Sequence, residues 1–177
     1  LAGLGANTFT ADQTINGVTV GRGANSVSNN TVLGTGALDA AVTGNNNTAI
    51  GKNALTTNTS GATNTAVGSS SLENNTTGSN NVGFGTGTLT ANTTGNNNVA
   101  IGNNVLDAGQ TGGNNTAVGH ESMTTNTTGG SNVAVGYQSL RQQTTGSNNT
   151  GIGFQAVYAN TTANNNTGVG FNALLLN

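Results

Sequence analysis

One glycine recurs every 17 residues along most of the chain, and this period constrains the fold more than any other feature. Each copy ends a short phrase such as "TAIG" or "VAVG", and no insertion or deletion separates the nine copies. A fixed internal period indicates a repeat architecture built from one structural unit. We therefore interpret these residues as turn glycines: Gly34, Gly51, Gly68, Gly85, Gly102, Gly119, Gly136, Gly153 and Gly170.

Other positions also repeat in register with the glycine. Asparagine stands four residues before it, at Asn30, Asn47, Asn64, Asn81, Asn98, Asn115, Asn132, Asn149 and Asn166. Between this asparagine and the glycine come Thr or Val, then a small residue, then a large apolar one. Four residues after the glycine is a second apolar column: Leu38, Leu55, Leu72, Leu89, Leu106, Met123, Leu140, Val157 and Leu174.

This pattern predicts an all-β chain, a parallel β-solenoid with 17-residue coils. Gly, Asn and Thr are poor helix formers, and no apolar stripe of helical period is present. The three residues before the glycine (Thr or Val, then a small residue, then a large apolar one) predict a short strand, and the leucine column predicts a second strand in each coil. Coils that repeat in register stack, so the asparagines become a buried structural ladder of hydrogen-bonded amides.

The alternation within the strand predicts which side chains face the core. The Thr/Val and large apolar residues lie on one face and the small residue on the other. We expect the large residues, among them Ile50, Ile101, Val118 and Ile152, to fill the core together with the leucine column. The small column would then form an uncharged outer strip: Ala49, Ala66, Gly83, Ala100, Ala117, Ala134, Gly151 and Gly168.

Such a core is thin for 17 ordered residues, since ordering the backbone costs about 1–2 kcal/mol per residue. The small strip permits the close approach of another chain, and three rods around an axis would bury it. The sequence therefore predicts a homotrimer in which this strip is the contact between chains.

Residues 1–25 fall outside the period and are expected to form an irregular entry segment that covers the N-terminal edge of the solenoid. In it, Val18 and Val20 predict a strand that ends at Gly21. The nine 17-residue repeats occupy residues 26–177. An aromatic column follows the glycine near the C-terminus, with His120, Tyr137, Phe154 and Phe171. We expect this more apolar end to contact a following domain or another rod; an aromatic ligand platform is the alternative.

The composition excludes several classes of function. The chain has 33 Asn, 32 Thr and 29 Gly among its 177 residues, and only 5% are charged. No basic patch is available for nucleic acid, and no apolar run is long enough to insert into a membrane. Disorder is the alternative to a folded solenoid, but the fixed period and near-zero net charge argue against it.

No residue pattern predicts catalysis, a cofactor site or a metal site. His120 and Glu121 are neighbours in one strand and would point to opposite faces. The acidic residues are too sparse for calcium. Asn-Thr-Thr and Asn-Thr-Ser sequons recur in the long turn, at Asn58, Asn75, Asn92, Asn126 and Asn160. They are expected to be turn residues, and their column would be the outward one if the source glycosylates secreted chains.

The phrases "NNTAIG", "NTAVG" and "SNVAVG", each followed four residues later by an apolar residue, resemble the head repeats of trimeric autotransporter adhesins, the YadA-like heads. The phrase "TNTAVG" with "NTTG", and the lead-in "TINGVTVGRG", also resemble repeats of bacteriophage tail fibres. The resemblance covers roughly residues 14–177 and implies a trimer of left-handed parallel β-rolls, extracellular, on a virion or a cell surface. The repeat is longer than the typical adhesin unit, and neither a coiled-coil stalk nor a membrane anchor is present in the sequence.

Two classes of function therefore remain. The first is a structural and adhesive fibre segment without catalysis, either a phage tail fibre or a cell-surface adhesin or filament, whose receptor or surface glycan is unknown. The alternative is a stand-alone binding β-solenoid that recognises ice or a polysaccharide.

Overall fold

The computed structural model describes residues 11–176 and is a single parallel β-solenoid with one short strand per coil. An N-terminal hairpin consists of β1 (Gln13–Ile15) and β2 (Val18–Gly21), and a one-turn 3-10 helix (Ala24–Ser26) follows it. Nine three-residue strands then recur every 17 residues: β3 (Thr31–Leu33), β4 (Thr48–Ile50), β5 (Thr65–Val67), β6 (Val82–Phe84), β7 (Val99–Ile101), β8 (Thr116–Val118), β9 (Val133–Val135), β10 (Thr150–Ile152) and β11 (Thr167–Val169).

The strands β3 to β11 pair in parallel, and each residue lies opposite its equivalent in the next coil. Ala49 pairs with Ala66, and Ile101 pairs with Val118. The predicted all-β solenoid with 17-residue coils is therefore confirmed. In residues 11–176 no helix has the length and apolar character needed to cross a membrane.

The N-terminal hairpin pairs antiparallel with the first coil, where Val20 lies opposite Leu33. Its two strands are joined by Asn16 and Gly17, both with positive φ, as a tight hairpin turn with right-handed twist requires. The strand predicted to end at Gly21 is confirmed. The hairpin lies within the predicted entry segment, residues 1–25; residues 1–10 of that segment lie outside the described residues.

The second strand predicted around the leucine column is wrong. The leucine of each coil has a φ near +50°, for example 53° at Leu55 and 51° at Leu89, and the residues around it form turns. A left-handed residue interrupts an extended strand because its peptide groups no longer alternate in direction. The left-handed region costs a residue with a Cβ about 1–2 kcal/mol, so the burial of these side chains has to offset strain in every coil.

The leucine column forms the interior of the coil, as predicted, and its members from Leu38 to Val157 are fully buried; Leu174 in the last coil is the exception and is exposed. We expect Leu89→Ala to lower the free energy of unfolding by about 2–5 kcal/mol, because it leaves a cavity between well-packed coils. Urea denaturation followed by circular dichroism measures this loss. The matched control is Thr94→Ala on the exposed turn, which should change the free energy by less than about 0.5 kcal/mol. Equal effects of the two substitutions would contradict the placement of Leu89 in the core.

Candidate functional site

The strand faces are the reverse of the prediction, and this places an apolar surface on the outside of the rod. The small residues of the strands, Ala49, Ala66, Ala100, Ala117 and Ala134, have no exposed surface within the single chain. Gly83, Gly151 and Gly168 of the same column are also buried. The predicted inter-chain strip is therefore wrong: these eight residues face the core of their own coil, where another chain cannot reach them.

A second small column explains why the first must be small. The residue three positions after each of the first eight turn glycines is buried as well, and sequence analysis missed it: Ala37, Ala54, Ser71, Thr88, Val105, Ser122, Ser139 and Ala156. Where the strand carries Gly83, Ser71 Oγ donates to the Gly83 carbonyl at 3.0 Å and lies 2.8 Å from Thr88 Oγ1. A side chain at Gly83 would collide with both hydroxyls. From the second coil onward the strand position holds only alanine or glycine, whereas the first coil buries Val32 there.

The Thr/Val and large apolar residues point outward and form what we call the sheet face. Its first column is Thr31, Thr48, Thr65, Val82, Val99, Thr116, Val133, Thr150 and Thr167, and its second is Leu33, Ile50, Val67, Phe84, Ile101, Val118, Val135, Ile152 and Val169. Phe84 is 55% exposed, although stacked neighbours cover its sides. Neither column contains an ionisable residue. The expectation that Ile50, Ile101, Val118 and Ile152 fill the core is thus wrong.

The asparagine ladder is buried, as predicted, and its bonds connect successive coils. Asn47 Oδ1 accepts from the backbone N–H of Asn64 at 2.9 Å, and Asn47 Nδ2 donates to the Gly61 carbonyl at 2.9 Å. The same acceptor bond recurs from Asn30 to Asn166, at 2.8–3.0 Å. The amides mostly bond backbone groups of the next coil, and side chains bond each other in only part of the ladder. The ladder therefore holds the backbone register directly.

The asparagines of the long-turn sequons form a second amide ladder. Asn58, Asn75, Asn92 and Asn126 have no exposed surface, and Asn160 is 1% exposed. Asn75 Nδ2 donates to Asn58 Oδ1 at 2.8 Å and to the Gly78 carbonyl at 2.9 Å. The expectation that this column is turned outward is wrong. The recurrence of asparagine seven residues after the turn glycine, at the same 17-residue period, was the available signal.

The second ladder is broken in two coils. Gly109 replaces the asparagine in one of them, where the neighbouring Gln110 is buried in its place, and the buried Gln143 replaces it in the other. In the intact ladder each amide oxygen accepts from the asparagine of the following coil; the oxygens of Asn92 and Asn126, which precede the two breaks, are buried without a hydrogen-bond partner among the described residues. A buried polar group without a partner costs about 1–3 kcal/mol, so the two breaks are weak points of the rod.

Restoring the repeat in the coil of Gly109 should stabilise the protein. The double substitution Gly109→Asn and Gln110→Thr reproduces the sequence of residues 91–95 at residues 108–112 and gives Asn92 a ladder partner. We expect the free energy of unfolding to rise by about 1–3 kcal/mol, measured by urea denaturation. Ala108→Thr is the control, because threonine already occurs in that column at Thr57 and Thr125. If the double variant had no higher free energy of unfolding than this control, the missing asparagine at position 109 would not lower the stability of the protein.

The aromatic column is a continuous stack along the rod. The ring centroids are 5.6 Å apart for His120 and Tyr137, 5.2 Å for Tyr137 and Phe154, and 5.1 Å for Phe154 and Phe171, with interplanar angles of 9–15°. Each inner ring uses its faces on its neighbours, so only ring edges are available to a ligand. This geometry disfavours the aromatic ligand platform. Phe171 is 74% exposed, and contact of this end with a domain or another rod stays a prediction.

None of the few charged residues stands in either column of the sheet face. Glu121 Oε2 accepts from Gln138 Nε2 at 2.7 Å and from Arg141 Nε at 3.1 Å, and these contacts, led by the Gln138 bond, lower the pKa of Glu121. Partial burial raises the pKa of Asp107. His120 stacks on Tyr137 instead of facing Glu121, so these neighbours form no acid–base pair. Among residues 11–176, no three His, Cys, Asp or Glu side chains cluster as a metal site would require.

The residues with the strongest geometric case for function are therefore those of the sheet face, and the two amide ladders position it. Comparison with known proteins gives no match: no family model, curated protein or solved structure is significantly similar to the chain.

Proposed function

We propose that the chain is a segment of an extracellular structural and adhesive fibre, in which three copies pack their sheet faces around a common axis. The proposal keeps the predicted homotrimer of left-handed β-rolls on a virion or cell surface, but it changes the contact between the chains. The observation that carries it is the sheet face, an outward, uncharged strip with one column of large apolar side chains beside one of threonine and valine.

The size of this strip favours a partner. Nine strands at ~4.8 Å spacing and two columns ~7 Å apart give each chain a face of roughly 300 Å². A patch of about 300–600 Å² is the largest that a typical monomer exposes, and such a patch is often a binding site. Three such faces would bury about 900 Å² together, which is below the range of about 1,200–2,000 Å² for a standard interface, so the assembly gains from every coil that is added to the rod.

A second copy is the partner that fits this face best. Every sheet face has the same spacing between its rungs, so two copies match along the whole length, whereas an unrelated surface would match over a few rungs. The absence of charge also removes the repulsion that identical charged columns would create around an axis. The resemblance to the YadA-like heads and to tail-fibre repeats supports the same assembly, as well as a role in surface attachment.

A charge on the sheet face should separate the chains without unfolding them. Ile101→Lys is expected to convert a species of about three times 17.2 kDa into a monomer, because three ammonium groups would be buried near the axis. Analytical ultracentrifugation measures the mass, and circular dichroism checks that the coils persist. The matched control, Thr128→Lys, places the same charge on the exposed turn and should leave the trimer intact. A wild-type chain that is monomeric at micromolar concentration would refute the assembly.

The stand-alone binding solenoid remains the second candidate, because one observation favours it. The sheet face presents a column of threonine and valine beside a column of large apolar residues, each repeated coil by coil in register, a regular surface that could order water or lie on a polysaccharide. A monomer that shows thermal hysteresis, or that binds an insoluble neutral polysaccharide and loses binding in Ile101→Lys, would favour this function over the fibre.

A further inference from the structure

Asn-X-Ser/Thr sequons occur in two sets with opposite exposure. The buried set is the second amide ladder: Asn58, Asn75, Asn92, Asn126 and Asn160. The exposed set precedes the first ladder by one residue: Asn29, Asn46, Asn114, Asn148 and Asn165. In this second set the third sequon residue is the threonine that opens a strand, such as Thr48 or Thr116. Asn74 is a further exposed sequon asparagine outside both sets.

In the buried set, the atom that would carry a glycan is already used inside the coil. Asn58 Nδ2 donates to the Gly61 carbonyl at 2.9 Å, and Asn92 Nδ2 donates to Asn75 Oδ1 at 2.7 Å. A sugar on Nδ2 would remove one of the two hydrogens of this nitrogen and would need space where the coil has none. The neighbouring Gly61, Gly78 and Gly95 are themselves buried against backbone of the next coil.

In the exposed set, backbone and side chain have separate roles. The N–H of Asn114 donates to the Asn96 carbonyl at 3.0 Å, and the N–H of Asn148 donates to the Gly130 carbonyl at 3.1 Å. These backbone bonds hold the turn, and each residue keeps a positive φ, which asparagine tolerates. The side chains are exposed, and the bonds that Asn46 Nδ2 makes to Asn45 Oδ1 and Asn97 Nδ2 makes to Asn114 Oδ1 lie at the surface, so a glycan there would leave both ladders intact.

We infer that the folded chain accepts N-linked glycans on the exposed sequons only, and that a glycan on the buried set prevents its coil from closing. The co-reactant is a lipid-pyrophosphate-linked oligosaccharide. Asn Nδ2 attacks the anomeric carbon, the new N–C bond replaces the C–O bond to pyrophosphate, Nδ2 loses one proton, and the lipid pyrophosphate leaves. The enzyme meets the chain before it folds, so the buried sequons compete directly with folding. This inference does not depend on the proposed trimer.

Two variants separate the two sets without disturbing the coils. The first removes the buried sequons by changing their exposed third residues, Ser60→Ala, Thr77→Ala, Thr94→Ala, Thr128→Ala and Thr162→Ala. The second removes the exposed sequons with Thr31→Val, Thr48→Val, Thr116→Val, Thr150→Val, Thr167→Val and Asn74→Ala. Valine already stands in that strand column at Val82, Val99 and Val133, and alanine stands in the Asn74 column at Ala91. Expression of both variants in bacteria that lack N-glycosylation checks that they fold as the wild type does.

The test is secretion from a eukaryotic host, followed by limited proteolysis and glycopeptide mapping by mass spectrometry. In the protease-resistant wild-type fraction we expect glycans on the exposed set alone, and glycans on Asn58 and its equivalents only in the protease-sensitive fraction. The first variant should yield several-fold more resistant protein than the wild type, and the second should yield no more. Glycans on the buried set of resistant protein, resistant protein without any glycan on the exposed set, or equal yields from wild type and first variant would overturn the inference.

Discussion

Replacing Asn98 by alanine is expected to lower the free energy of unfolding by about 2–6 kcal/mol. The substitution leaves two buried backbone groups without a hydrogen-bond partner, and each such group costs about 1–3 kcal/mol. Asn98 Oδ1 accepts from the N–H of Asn115 at 3.0 Å, and Asn98 Nδ2 donates to the Gly112 carbonyl at 3.0 Å. Asn98 and Asn115 are fully buried, so water cannot replace the lost amide. Urea denaturation followed by circular dichroism gives the change.

The adjacent Asn97 provides the control. Its side chain is exposed, its φ is 58°, and its N–H donates to the Ser79 carbonyl at 3.1 Å. Asn97→Gly keeps this backbone bond and suits the positive φ, so its effect should stay within about 0.5 kcal/mol. Two neighbouring asparagines would then differ in effect by severalfold. If Asn98→Ala proved as mild as Asn97→Gly, the amide ladder would not be what holds the coils in register.

Ala117→Gln is expected to destabilise the coil itself by about 2–6 kcal/mol. Overpacking a filled interior costs about 1–3 kcal/mol, and a buried amide without partners adds about 1–3 kcal/mol. Ala117 has no exposed surface and pairs with Ala100 and Ala134 in the adjacent strands. The loss should appear as a lower urea midpoint and a weaker β signal in circular dichroism, even in chains that are kept monomeric by Ile101→Lys.

Val118→Gln is the matched control, because the same side chain is placed one residue later and on the opposite face. It should leave the coil folded in the monomer and affect only the assembly of chains. The reverse outcome, a folded Ala117→Gln coil and an unfolded Val118→Gln coil, would restore the original assignment of the two strand faces.

The repeat, the strand positions and the inward direction of Asn47 or Leu55 could be predicted from the sequence, because each rests on a 17-residue period that nothing interrupts. Which face of the strand lies inside the coil could not be predicted from the sequence. Alternation divides three residues into two sets but does not say which set is inside when both are apolar. What decides it here is the space inside the coil, which Leu55, Asn47 and Asn58 largely fill, so that the strand contributes a small residue such as Ala49 to the interior.

Two other features depend on backbone geometry that composition does not reveal. A leucine in the left-handed region is unfavourable in isolation, so the turn at Leu89 was predicted as a strand. Asn58 was assigned to an exposed turn because Asn-Thr-Ser usually lies there. It is instead buried, and its amide accepts a hydrogen bond from Asn75 of the next coil and donates one within its own turn. The sheet face could not be predicted either, because its residues are identified only once it is known which face of the strand points outward.

The unbroken register also bears on how such a rod could change in evolution. Each coil meets the next through equivalent atoms, so loss or duplication of 17 residues by recombination between repeats would rejoin surfaces that already match. The length of the rod would change in steps of ~4.8 Å without the need for a new interface. The number of repeats encoded in the gene would then set the length of the rod, and the sheet face would lengthen or shorten by one coil with each repeat gained or lost.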